Sequence, residues 1–155
     1  HAQQFYDEKA FLLYSIDISG IQDFIYTITS EGALKALRAR SFYLDLLMEQ
    51  LVDTILEAVG VSRANCIYCG GGHAYLLLAN TEAVKQEIDR FENQANQWFL
   101  EVFGTALYVA GGYAPCSAND IENYHDMVQN RSLLSMFDRR RQIRGSVQYV
   151  IEWIT

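Results

Sequence analysis

Three consecutive glycines, Gly70 to Gly72, separate two apolar runs and constrain this chain more than any other feature of its sequence. The first run is 65–69, Asn-Cys-Ile-Tyr-Cys, and the second is 73–79, His-Ala-Tyr-Leu-Leu-Leu-Ala. Both runs are rich in strand-forming residues, and glycine is typical of the tight turn that joins two strands. The pattern predicts a β-hairpin whose turn brings bare backbone close to another group.

The residues around this hairpin predict two further strands and two long helices. An apolar run over 11–18 is typical of a buried strand, and Ser19 and Gly20 end it. Apolar residues then recur every three or four positions from Leu37 to Val59, with Gly60 as the stop signal. The remaining segments are a short helix over 21–29, a connector over 30–32, a helix that begins at Asn80 or Thr81 and ends at Gly104, and a strand over 105–110.

This order predicts the α+β class with a ferredoxin-like βαββαβ arrangement, in which helices cover one face of a mainly antiparallel sheet. We expect an additional C-terminal helix after Asp120, with Tyr124 and Val128 on one side, and a terminal strand over 146–154. Residues 1–10 are interpreted as an N-terminal extension or tag remnant, and 11–155 as a single domain. Many unrelated proteins share this arrangement, so the fold alone does not determine function.

Composition narrows the class of protein. The 155 residues are 50% hydrophobic and 20% charged, which is typical of a folded globular domain, and no apolar stretch approaches the roughly 20 residues of a membrane span. The net charge of −7 disfavours binding of nucleic acid by this domain alone. A basic cluster, Arg139 to Arg141 with Arg144, is interpreted as a solvated surface, with a phosphate or partner contact as the alternative.

Three cysteines indicate a reducing compartment, and we expect a cytoplasmic protein. Cys66 and Cys69 have C-x-x-C spacing. On a regular strand, residues three apart point to opposite faces, so the two thiols are not expected to bind one zinc ion. Cys116 and His73 would join them only by coincidence of folding.

An acidic stripe of Asp45, Glu49, Asp53 and Glu57 repeats every four residues along the first long helix. Like charges at this spacing repel mildly, so we expect the stripe to face water. A basic partner surface is the alternative.

The predicted topology places the end of the first strand, with Asp17, beside the glycine turn and His73. A carboxylate holds a hard cation such as Mg²⁺, and bare backbone N–H groups approach phosphate oxygens. Arg38, Arg40 and Ser41, expected at the start of the long helix, could add phosphate or base contacts. The sequence therefore favours a nucleotide site with Asp17 as a candidate metal ligand.

Three segments, Asp17–Ile25, Leu37–Leu44 and Tyr68–Tyr75, resemble the first palm domain of the large subunit of type III CRISPR effector complexes, Csm subtype. The resemblance covers roughly residues 11 to 115. It implies a palm domain related to adenylyl cyclases and GGDEF cyclases, one of two in the parent chain. Two ATP molecules bind between such palms and are joined into cyclic oligoadenylates, second messengers in antiviral defence.

In that family the second palm carries the Gly-Gly-Asp-Asp turn that holds the catalytic Mg²⁺ ions, and the first palm usually lacks it. Here Gly72 and His73 stand where the two acids would be. The resemblance implies that Asp17 occupies the metal position of the first strand without its partners. The residues expected to line one ATP site are Asp17, Ser19, Gly20, Arg40, Ser41, Gly70, Gly71, Gly72 and His73.

We therefore expect the non-catalytic half of a cyclic oligoadenylate synthase, a nucleotidyltransferase fragment that is inactive in isolation. Two-metal phosphoryl transfer needs several carboxylates, and Asp17 alone does not supply them. The resemblance implies Mg²⁺ with ATP as cofactor of the intact protein. The implied partners are ATP, the second palm of the parent chain, other effector subunits and guide RNA, with no membrane. A homodimer of the fragment is an additional hypothesis.

Three alternatives stay open. A structural subunit-interaction module without nucleotide binding would use the acidic stripe and the basic cluster. An active single-palm cyclase of the GGDEF kind is disfavoured by the missing acids. An RNA-binding ferredoxin-like domain is disfavoured because the chain is acidic.

Overall fold

The computed structural model describes residues 2–26 and 33–122 of the chain. The elements are α1 (Ala2–Asp7), β1 (Phe11–Ser19), α2 (Ile21–Tyr26), α3 (Ala33–Ala58), a 3₁₀ turn (Arg63–Asn65), β2 (Cys66–Gly70), β3 (His73–Ala79), α4 (Glu82–Phe103), β4 (Tyr108–Cys116) and α5 (Ala118–Glu122). The predicted connector over 30–32, the helical side with Tyr124 and Val128, the basic cluster and the terminal strand lie outside the described residues.

The four strands form one sheet in the order β2-β3-β1-β4, and every neighbouring pair is antiparallel. This is the strand order of a ferredoxin-like βαββαβ fold, so the predicted class and arrangement are confirmed. Because β1 is central, it pairs with β3 from Phe11 opposite Ala79 to Asp17 opposite His73. The end of β1 and the start of β3 therefore meet at one end of the sheet.

The hydrophobic core lies between the sheet and the two long helices. Alternate residues of β1, from Leu12 to Ile18, are buried, as the period of a strand with one face on the core requires. Fully burying one such apolar side chain contributes about 1.5–3 kcal/mol. The helices meet this face with Leu44, Met48, Val52 and Ile55 from α3 and with Ile88, Phe91 and Phe99 from α4.

Helix boundaries follow capping chemistry where the sequence contains it. The Thr81 side chain accepts a hydrogen bond from the Val84 N–H at 3.2 Å, and Gly104 ends α4 with φ +59°, as predicted. By contrast, α3 begins at Ala33, earlier than the Leu37 start that the apolar period indicated. Its extra turn consists of good helix formers with an exposed Leu34, so no apolar period marks it.

The fourth strand differs from the prediction. It runs from Tyr108 to Cys116 and includes Gly111 and Gly112, which the sequence indicated as a break after 110. A Cβ at Gly111 would lie 1.9 Å from Glu92 Oε1, a buried carboxylate oxygen to which the Tyr14 hydroxyl donates at 3.1 Å. Gly111 therefore serves a close approach of α4 to the sheet.

The N-terminal segment contacts the other end of the described chain. Helix α1 contacts α5, the Asn119 amide donates to Asp7 Oδ1 at 2.6 Å, and Lys9 forms an ion pair with Asp120. The interpretation of residues 1–10 as an extension stays a prediction. Within residues 2–26 and 33–122, no helix combines the length and the apolar character that crossing a membrane requires.

Candidate functional site

The hairpin turn lies at the end of the sheet where β1 ends. Gly70 and His73 pair across it, and Gly71 and Gly72 are its two central residues, with φ +59° and +81°. Positive φ at both central positions is typical of a type I′ turn, which glycine adopts without a steric penalty. The Ile18 N–H donates to the Gly72 carbonyl at 2.9 Å, so the turn is bonded to the end of β1.

The two central glycines have opposite surroundings. A Cβ at Gly72 would lie 2.2 Å from Ile21 Cδ1, because the first residue of α2 packs onto the buried side of the turn. A Cβ at Gly71 would meet nothing within 4 Å, and Gly71 is exposed. The turn therefore has one position filled by Ile21 and one open to an incoming molecule. No local pattern in the sequence indicated the Ile21 contact.

Asp17 and His73 are directly opposite each other in the β1–β3 ladder and form an ion pair, with 2.5 Å between Oδ1 and Nδ1. The second carboxylate oxygen, Oδ2, accepts a hydrogen bond from Ser19 Oγ at 2.9 Å. The Asp17 side chain is 15% exposed and that of His73 is 48% exposed. Both oxygens of Asp17 therefore have partners within the chain, while His73 extends toward solvent.

These residues do not fit a Mg²⁺ ion held by this chain. Mg²⁺ takes near-octahedral oxygen coordination, and the oxygens of Asp17 are engaged by Ser19 and His73. Among residues 2–26 and 33–122, no group of three histidine, cysteine or acidic side chains is placed to hold a metal.

Gly20 and Arg40 lie next to α2, at its start and on the neighbouring helix α3. A Cβ at Gly20, which has φ +93°, would lie 2.0 Å from the Ala106 carbonyl oxygen, so the segment before β4 closes on this glycine. The Arg40 guanidinium donates to the Phe24 carbonyl and lies over the Phe24 ring, 5.0 Å from its centroid. Arg40 therefore ties α2 to α3.

The structure thus brings together Asp17, Ser19 and the turn from Gly70 to His73, with Gly20 beside them. Among the described residues, Arg40 reaches this group through Phe24 of α2, and the exposed Ser41 lies in the third turn of α3, away from its start. The assignment of these residues to a nucleotide stays a prediction.

The prediction that Cys66 and Cys69 point to opposite faces is wrong. A bulge between Cys66 and Tyr68 shifts the register, so that the two cysteines lie opposite Leu76 and Ala74, which share the core face. Both thiols pack against the core. Burial, with a hydrogen bond to Glu49, raises the pKa of the Cys69 thiol to about 11, so it is protonated at neutral pH and disfavoured as a nucleophile or metal ligand.

The acidic stripe on α3 is exposed, as predicted. Arg63 from the 3₁₀ turn pairs with Asp53 at 2.5 Å and also with Glu49, which offsets the expected repulsion. Arg63 lies 10 residues from Asp53 and 14 from Glu49 in the sequence, so no local pattern predicted these ion pairs.

A four-stranded antiparallel sheet of this order, covered on one face by two helices and carrying a hairpin turn beside a strand-one acid, defines a palm domain of the ferredoxin-like class. Residues 10–148 match the family model described as Csm1 subunit domain B. The chain therefore belongs to the Csm1 family, as the resemblance of its three segments predicted.

Relatives and solved structures agree with this assignment. A Mycobacterium tuberculosis protein described as CRISPR system single-strand-specific deoxyribonuclease Cas10/Csm1 (subtype III-A) is 61% identical over 117 residues, covering 76% of this chain and 14% of that protein. Its Enterococcus italicus counterpart is 50% identical over 134 residues, covering 84% and 18%. The chain therefore spans less than a fifth of these relatives.

Among solved structures, the apo Csm1-Csm4 cassette matches with a TM-score of 0.81 and 32% identity, over 98% of this chain and 21% of that one. The cassette in complex with AMPPNP matches with a TM-score of 0.77 and 34% identity, over 89% and 20%.

Proposed function

We propose that this chain is the non-catalytic first palm of a type III CRISPR large subunit, lining one ATP site at a palm–palm interface where ATP becomes cyclic oligoadenylate. The observation that carries the proposal is the asymmetry of the hairpin turn. Gly72 is closed by Ile21, whereas Gly71 is exposed with free space above it. Bare, accessible backbone in a turn at the end of two strands suits the approach of a triphosphate.

The relatives support a nucleotide role. Structures of the Csm1-Csm4 cassette exist in complex with AMPPNP, with one ATP and with cA4. Those ligands belong to the solved proteins, of which this chain resembles about a fifth. For this chain, we propose that Asp17, Ser19, Gly20 and the turn from Gly70 to His73 border the nucleotide, with Arg40 and Ser41 farther along α3.

The residues at the same end of the sheet support the proposal that this half does not catalyse the reaction. An acid at position 72 would overlap Ile21, and His73 occupies the side of Asp17 where a second acid would stand. Two-metal phosphoryl transfer requires carboxylates that clamp both ions. We therefore propose that Mg²⁺ arrives with ATP and is held by the second palm of the parent chain.

The test is a bulky side chain at the open glycine. Gly71→Phe, made in the intact large subunit within its effector complex, is expected to lower cyclic oligoadenylate production at least tenfold, because the ring fills the space above the turn. Product is measured by chromatography after target RNA is added.

Gly60 offers a matched control. It has φ +72°, and a Cβ there would also meet nothing within 4 Å. It follows α3, toward the opposite end of the sheet. Gly60→Phe imposes similar backbone strain without touching the turn. Equal production by the Gly71 and Gly60 variants would contradict the proposal.

A structural interaction module is the second candidate, favoured by the exposed Phe42 and Leu46 on α3. The solved relatives contain Csm4 beside Csm1. For this chain, other effector subunits and guide RNA are proposed partners through the parent complex, and a homodimer is a further hypothesis. Sedimentation at high concentration tests the homodimer, and a monomer throughout would exclude it.

A further inference from the structure

The contacts of Asp17 differ from those that a metal-binding palm needs. Its Oδ1 is paired with His73 Nδ1 at 2.5 Å, and its Oδ2 accepts from Ser19 Oγ at 2.9 Å. A cation at Asp17 would share the carboxylate with these two partners, and the described residues place no group of three histidine, cysteine or acidic side chains to hold it. In this chain, the carboxylate of Asp17 instead supports the imidazole ring of His73.

The ring has a second nitrogen on the side opposite the ion pair. Asp17 engages Nδ1, so Nε2 lies across the ring from the carboxylate, on a side chain that is 48% exposed. A doubly protonated imidazole donates through both nitrogens, one to the carboxylate and one to a ligand. Donation from a charged group to a phosphate oxygen is shorter and stronger than a neutral hydrogen bond.

We propose that His73 replaces the divalent cation of this palm: Asp17 orients the ring through Nδ1, and Nε2 binds a phosphate oxygen of the nucleotide without a metal ion on this side. The inference rests on the proposed function, since it names how that nucleotide is held. Asp17 is then a positioning residue, because its carboxylate contacts Nδ1 and fixes the direction of the ring. His73 is the residue that contacts the ligand.

The location of His73 supports this role. It is the first residue of β3, two positions after the open Gly71, so a polyphosphate above Gly71 would come within reach of its ring. The β-ladder fixes its backbone opposite Asp17. The contact therefore depends on a side chain whose base and one ring nitrogen are both held in place.

The first experiment tests whether a divalent metal ion binds beside Asp17 and His73. We expect Mn²⁺, used as a paramagnetic probe with the 155-residue chain, to leave the NMR amide signals of residues 17 and 73 without selective broadening. His73→Asp places a second carboxylate opposite Asp17 and is expected to raise Mn²⁺ affinity by at least about tenfold. Adding Asp17→Asn should abolish the gain. Selective broadening in the unmodified chain, or no gain in His73→Asp, would overturn the inference.

The second experiment tests the phosphate. Inorganic tripolyphosphate, titrated with EDTA present, is expected to shift the His73 ring signals saturably, with a Kd on the order of 1–10 mM, as befits a half-site. His73→Asn places an amide donor near the Nδ1 position but has none at Nε2, and should weaken binding about tenfold. His73→Gln places its amide near Nε2 and should retain binding within about threefold.

A saturable shift that requires Mg²⁺, or equal binding by the Asn and Gln variants, would refute the role of Nε2. The failures of the two proposals are distinguishable. If Gly71→Phe abolishes product while tripolyphosphate leaves His73 unshifted, the nucleotide site stands and the His73 contact does not. If Gly71→Phe has no effect, the nucleotide site fails even where Mn²⁺ behaves as expected.

Discussion

At the scale of single residues, the glycines of this domain perform different tasks. Gly71 keeps a turn open, Gly72 accommodates Ile21, and Gly111 accommodates Glu92 within a strand. The sequence displays all three as the same residue beside another glycine. Their roles separate only when the atoms that face each missing Cβ are known.

Gly111→Ala is expected to destabilise the fold by about 1–3 kcal/mol, because its methyl would lie 1.9 Å from Glu92 Oε1 and 2.9 Å from the Tyr14 hydroxyl, both buried. Urea unfolding followed by circular dichroism measures the loss.

Gly70→Ala is the control, since Gly70 has no positive φ and its added methyl meets the end of the Tyr68 side chain, with the hydroxyl at 3.2 Å. Tyr68 is exposed and able to move aside. Equal urea midpoints for the two variants would show that the Glu92 side chain moves aside at little cost in free energy.

At the scale of elements, local signals in the sequence predicted what local chemistry determines. The hairpin, the Thr81 cap and the end of α4 at Gly104 are all encoded within a few residues. The bulge that turns Cys66 and Cys69 to one face depends on the register of pairing with β3. The contact of Arg40 with α2 depends on Phe24, which is distant in sequence. Such contacts leave no periodic pattern in the sequence.

The short helix α5 shows how a cap and an ion pair depend on one carboxylate. Asp120 accepts from the Ser117 N–H at 2.7 Å and from Ser117 Oγ at 2.8 Å, and pairs with Lys9. The hydrogen bond from Lys9 is the main cause that lowers the pKa of Asp120, with Ser117 adding to it.

Because the folded pKa of Asp120 is lowered, its stabilising contribution is present above the unfolded pKa of roughly 3.9 and is lost as pH falls through the folded value. We expect acid to release α5 from the Lys9 segment, with faster amide exchange there than in β1. Asp120→Asn should make this exchange independent of pH in the same range, after correction for intrinsic rates. An unchanged pH profile would contradict the assignment.

At the scale of the whole molecule, the two ends of the sheet have different neighbours. One end carries the turn, Asp17 and His73, whereas the other carries the α1–α5 contact and the end of α3. The sequence predicted the topology that places Asp17 beside the turn. It did not predict the direct contact between the Asp17 carboxylate and Nδ1 of His73.

The isolated chain is therefore expected to form no oligoadenylate from ATP and Mg²⁺, because residues 2–26 and 33–122 place no group of three histidine, cysteine or acidic side chains that could hold the metal ions. Product formation over hours, measured by chromatography, checks this against the intact effector complex as positive control. Turnover by the isolated chain that Asp17→Asn abolishes would mean that this palm is itself catalytic.

The contact between Ile21 and Gly72 also couples two positions of the sequence. A Cβ at position 72 would lie 2.2 Å from Ile21 Cδ1, the end of a side chain, and the new residue would have to adopt φ +81°. The free-energy cost of replacing Gly72 therefore combines backbone strain with a shift of Ile21. Substitutions at positions 72 and 21 are thus expected to be non-additive in a double-mutant cycle.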